Sequence, residues 1–106
     1  MKHYAVAELD VTDPAWIPAY VEEVTAIVER RGGRYLARTV EIERIEGERE
    51  RPQVMLLIEW PSAQAARDFY DSDEYRPHRE ARRAGARNQF FLVSGEDVNG
   101  VAEIAS

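Results

Sequence analysis

Arg38 and Glu59 are the two side chains whose types and placement most readily suggest chemistry. Glu59 closes an otherwise apolar run, Val54-Met55-Leu56-Leu57-Ile58, and a carboxylate on such a strand needs a partner or must keep its proton. If the turn at Gly47 pairs Ile45 with Pro52, Arg38 falls directly across from Glu59, with Cβ atoms about 4.5–5.5 Å apart. The pair is then either a structural ion pair or one wall of a pocket. In the pocket, Glu59 accepts a proton or Arg38 anchors an anionic substrate. A slip of one residue places the two on opposite faces and removes both readings.

Trp60, Tyr70, Tyr75 and Arg82 form a second group. Aromatic bodies with polar tips, joined by a guanidinium, are what a mostly apolar pocket uses to orient a ligand. Aromatics at helical spacing also serve as plain core. Arg76, Arg79 and Arg83 share one helical face, with Asp73, Glu74 and Glu80 near enough to balance them, so a solvated face competes with an anion site.

Other chemistries find little support. His3 and His78 are far apart and lack companions at metal-ligand spacing, so no metal site is expected. Ser62 and Ser94 are not in a nucleophile-elbow context, and Gly32-Gly33 is too short for a phosphate loop. With no cysteine there is no disulfide, thiolate metal site or Cys nucleophile. Twenty acidic against fourteen basic residues give a net charge of -6, which repels phosphate backbones. The run Val54 to Ile58 also lacks the aromatics of RNA-binding sheets, so no nucleic-acid partner is expected. No signal-like or membrane-length apolar segment is evident, and a cytoplasmic location is the expectation.

The elements that must position these residues follow from periodicity. Tyr4 to Val11 alternates as a strand. Asp13-Pro14 opens a helix with a loose first turn to Ile17, regular from there to about Arg31, and Gly32-Gly33 ends it. Arg34 to Ile45 reads as a second strand with a charged outer end, suited to a sheet edge. A third strand, ending at Trp60, puts Val54, Leu56, Ile58 and Trp60 on one face and Met55, Leu57 and Glu59 on the other. Ser62 caps a helix to about Asp71, a further helix runs from near Glu74 to about Ala86, and Arg87 to Ser94 forms the last strand.

This order, βαββαβ, is the split βαβ arrangement of ferredoxin-like α+β folds: a four-stranded antiparallel sheet with helices on one face. Strands three and four are apolar on both sides, so the second face also needs a cover. The natural cover is the same sheet from a second copy, giving a homodimeric α+β barrel. One domain over residues 1–95 and a tail over 96–106 are expected.

Several stretches carry a family resemblance. These are Asp13-Pro14, Gly33-Arg34-Tyr35-Leu36-Ala37-Arg38, Ile58-Glu59-Trp60-Pro61-Ser62, Ala65-Ala66 and Ser72-Asp73-Glu74-Tyr75, with Arg82 seven residues after the Glu-Tyr pair. In order and spacing they resemble domain of unknown function family 1330. The resemblance covers about residues 4–95 and implies a dimeric α+β barrel, in a superfamily that includes small monooxygenases and isomerases; it implies no particular reaction. Two functions then compete. One is a cofactor-free enzyme acting on a small organic molecule between sheet and helices. The other is a non-catalytic dimeric binding or accessory protein.

Overall fold

The computed structural model describes residues 1–98. Strand β1 (His3–Val11) lies inside the sheet, where Ala5 and Ala7 leave room for helices to approach. Asp13 then caps the first helical segment, its carboxylate accepting from the Ala15 amide at 3.0 Å. This segment, α1, spans residues 14–30: a 3₁₀ turn over Pro14–Trp16, a short α stretch over Ile17–Ala19, a widened π turn over Tyr20–Val24 and α-helix over Thr25–Arg30. The loose start matches expectation; the π turn does not. At its end the Thr25 hydroxyl donates to the Val21 carbonyl, an acceptor of the backbone ladder. Gly32, with φ of +95°, then reverses the chain, and Gly33 donates back to Val28 at 2.8 Å.

Strand β2 (Arg34–Thr39) is shorter than its alternation suggested. Residues 40–53 form a charged loop instead of a continued hairpin. That loop is tied down by Arg49 to Glu8 at 3.1 Å and by Arg51 to the Ile42 carbonyl at 3.0 Å. Strand β3 (Val54–Trp60) follows, then α2 (Ala63–Tyr70), capped by Ser62 Oγ accepting from Ala65 at 3.1 Å. Ser72 both ends α2, donating to the Phe69 carbonyl, and accepts from the Tyr75 amide ahead of α3 (Arg76–Gly85). Strand β4 (Ala86–Ser94) completes an antiparallel sheet of order β2-β3-β1-β4. The expected ferredoxin-like α+β architecture is what the chain adopts.

The register overturns one expectation. Arg34, not Arg38, lies across from Glu59, and a bulge between Tyr35 and Ala37 carries Arg38 to a position opposite Leu56. Arg38 therefore shares the helix-side face with Tyr35, and Glu59 points out of the opposite face. The charged 40–53 loop allows this, since no tight turn at Gly47 imposes the hairpin register.

The core fills the space between sheet and helices: Val24, Ile27, Val28, Ile58, Trp60, Ala66, Phe69 and Tyr75. Contact there is tight enough that a methyl on Gly33 would sit 2.6 Å from Val28 Cγ1 and 2.9 Å from Trp60 Cη2. On the other face Val6, Met55, Leu57, Phe91 and Val93 lie side by side, with Phe91 53% and Val93 48% exposed. Ion pairs flank this patch: Glu59 with Lys2 (2.9 Å) and Arg34 (3.5 Å) at one end, Glu8 with Arg49 at the other. Of the tail expected over 96–106, residues 99–106 lie outside the described residues.

Candidate functional site

A cleft of about 640 Å³ opens between α2 and the helix-side face of β1, β3 and β4. Small residues create it: Ala5 on β1 and Ala66 on α2 leave a gap that larger side chains would fill. Its walls are Trp60, Phe69, Tyr70, Phe90 and Leu92, and its polar groups are His3, Arg67, Asp71 and Ser94. Size and character match sites that take small organic ligands, commonly about 300–1,000 Å³ and mostly apolar with a few polar groups.

The rings form a connected stack. Trp60 lies 5.1 Å from Phe69, which stacks at 4.3 Å on Tyr75; Tyr70 meets Tyr75 edge-on at 6.0 Å and lies 5.5 Å from Phe90. Behind Phe90 sits Arg82, only 1% exposed, its guanidinium carbon 5.4 Å from the ring centroid. Its Nη1 donates to Asn88 Oδ1 at 2.7 Å, and Asn88 in turn donates to the Ala86 carbonyl. Among the described residues Nε and Nη2 have no partner in good hydrogen-bond geometry, although the Tyr75 and Tyr20 hydroxyls lie close to the guanidinium. Nearby, the hydroxyls of Tyr20 and Tyr75 lie 2.6 Å apart. Burial raises the Tyr20 pKa well above the ordinary phenol value, the adjacent Tyr75 hydroxyl adds to this, and Arg82 opposes it. Tyr20 is a neutral phenol. Burial works against the charge on Arg82, but Tyr75 and Tyr20 outweigh it and raise its pKa, so the guanidinium stays charged.

Four of the six residues singled out in the sequence thus come together: Trp60 and Tyr70 in the cleft wall, Tyr75 and Arg82 directly behind it. Arg38 and Glu59 do not join them. Arg38 stacks on Tyr35, with its Cζ 4.0 Å from the ring centroid, and donates to Thr25 Oγ1 at 2.7 Å. Glu59 is held below the usual carboxylate range, first by the hydrogen bond from Lys2 and then by Arg34. The arginine face of α3 is balanced by acids, Arg76 on Asp73 at 3.0 Å and Arg83 on Glu80 at 3.6 Å. Arg79 pairs with Glu80 at 3.2 Å and also covers Tyr70, donating to its carbonyl at 2.7 Å.

Sequence reasoning missed His3, Tyr20, Phe90 and Asn88 as members of this region. Asn88 carried a signal, an amide on the inward face of a strand that is otherwise apolar further along; Tyr20 was hidden in an apolar helical stripe.

The sequence model of the family described as domain of unknown function (DUF1330) matches residues 2–96. The chain belongs to this family. Comparison with curated proteins gives no match. Among solved structures, a protein of unknown function from Rhodopseudomonas palustris is similar at TM-score 0.74 and 16% identity, over 91% of this chain and 83% of that one. SnoaB, a cofactor-independent oxygenase from Streptomyces nogalater, is similar at TM-score 0.65 and 19% identity, over 93% and 97% of the two chains. A Mycobacterium tuberculosis protein follows at TM-score 0.56 and 11% identity, over 94% and 100%. These likenesses show a shared fold. Among the described residues, no helix is long and apolar enough to cross a membrane.

Proposed function

We propose that this DUF1330 protein binds a small, planar, largely apolar organic molecule in the cleft beneath α2 and acts on it without a resident cofactor. The observation that carries the reading is the cleft itself, an aromatic-walled space of about 640 Å³ kept open by Ala5 and Ala66. The cleft is open to solvent and walled by rings, so a flat ligand entering it would take apolar surface out of water. The fold it shares with SnoaB, a cofactor-independent oxygenase, is one on which chemistry proceeds without a cofactor.

The working unit in this proposal is a homodimer joined through the open sheet face. Val6, Met55, Leu57, Phe91 and Val93 form an apolar centre with ion pairs at its margins, the anatomy of an interface. A second copy is the occupant that matches the patch to itself about a two-fold axis.

One observation favours the non-catalytic alternative, a binding or accessory protein: the titratable cleft residues His3, Arg67 and Asp71 do not hydrogen-bond to one another as an acid–base pair.

Native mass spectrometry tests the reading. After incubation with a library of small aromatic alcohols and acids, the wild-type protein should retain ligands that an Ala66→Phe variant, with its cleft filled, releases. Equal retention by both proteins, or none by either, overturns it. Turnover of a retained compound separates enzyme from carrier.

A further inference from the structure

Arg82 is the least explained group in the molecule. A guanidinium has five N–H donors, and here it is 1% exposed; among the described residues Nε and Nη2 meet no acceptor in good geometry, with only the neutral Tyr20 phenol and the Tyr75 hydroxyl placed near it and no anion. Among the described residues no carboxylate lies within ion-pair distance of it. The other arginines of α3 do have acidic partners: Arg76 with Asp73, Arg79 with Glu80 and Asp71, and Arg83 with Glu80. A buried cation without its anion is expensive, and the usual resolution is a partner that brings the missing charge.

The cleft supplies a route. Phe90 is at once a wall of the cleft and the ring against which the guanidinium packs, and Tyr70 stands between the cleft and Tyr75. One side chain, Phe90, thus stands between the ligand space and the guanidinium. The Tyr20–Tyr75 hydroxyl pair beside it shares one hydrogen bond between two protons, leaving one proton free to donate.

We infer that Arg82 is the anion anchor of this site: the molecule bound in the cleft carries a carboxylate that passes between Tyr70 and Phe90 and meets Nε and Nη2. This rests on the cleft being a ligand site and adds the chemical class, a compact aromatic acid. Nε and Nη2 make one edge of the guanidinium, the edge that takes a carboxylate with two parallel hydrogen bonds. The free phenol proton gives a third contact. Rotation of Tyr70 and Phe90 opens the path, and both are only half-buried.

Calorimetric titration with benzoate and with its neutral counterpart benzamide tests this on the full chain. The wild-type protein should bind benzoate at least tenfold more tightly than benzamide. Arg82→Gln should erase the preference, bringing the benzoate affinity down to that of benzamide in the same variant. If that variant does not fold, Asn88→Asp places a competing carboxylate on Nη1 and should reduce the preference as well. Equal affinity for both probes in the wild type overturns the inference while the cleft stands. Binding of neither removes the cleft reading and this inference with it. A preference that survives both substitutions places the anion elsewhere and also overturns the assignment.

Discussion

The hydroxyls of Tyr20 and Tyr75 lie 2.6 Å apart although their residues are 55 positions apart in the chain. One comes from the π turn of α1, the other from the link before α3. Their contact joins the two helical segments over the sheet and places two hydroxyls beside a buried guanidinium. Tyr75→Phe leaves the Tyr20 hydroxyl without this partner. The expected cost is about 1–3 kcal/mol in urea unfolding, and Tyr20→Phe added to it should cost little more, since the pair acts as a unit.

The open sheet face gives a second prediction. The wild-type protein should sediment as a dimer at tens of micromolar, because interfaces of this kind bury on the order of 2,000 Å². Phe91→Glu puts a carboxylate in the centre of the apolar patch and should give monomers. A wild-type monomer, or a dimer untouched by Phe91→Glu, contradicts the assembly.

Glu59 gives a pH prediction. Its folded pKa is depressed by Lys2 and Arg34, so the stability it contributes is fully present above the unfolded value, roughly 4.3, and is lost as pH falls through the lowered folded value. Glu59→Gln should therefore destabilise at neutral pH and flatten the acid limb of the stability profile. Glu74, depressed in the same direction first by Arg31 and then by Arg30, should leave a residual slope in that variant.

Gly33 tests the packing beneath Trp60. Gly33→Ala forces a methyl against Val28 and the indole, both fully buried, and neither can retreat. Overpacking of this kind costs about 1–3 kcal/mol. Thermal denaturation showing no loss would mean that the α1–β2 junction is looser than described.

The extent to which this was legible in the sequence differs between fold and site. The faces of β1, β3 and β4 follow from two-residue alternation, and Asp13, Gly32 and Ser62 mark helix ends through local hydrogen bonds, so the fold was readable. Arg38 and Glu59 were misplaced because their pairing depended on a hairpin register. The structure replaces that hairpin with the 40–53 loop and inserts a bulge after Tyr35. Local rules carry no information on either. Trp60, Tyr70, Tyr75 and Arg82 are named by residue type, and the structure brings them together; the roles of Tyr20 and Phe90 come from tertiary contact alone, while Asn88 shows only as a polar residue on an inward face.

The cleft as a ligand site is the central claim, and a ¹H–¹⁵N correlation titration of the full chain with 2-naphthol tests it most directly. The account predicts saturable shifts concentrated at Ala5, Trp60, Ala66, Phe69, Tyr70 and Phe90, the residues around the cleft. The absence of saturable shifts up to millimolar ligand, or shifts confined to Val6, Leu57 and Phe91 on the opposite face, would contradict it.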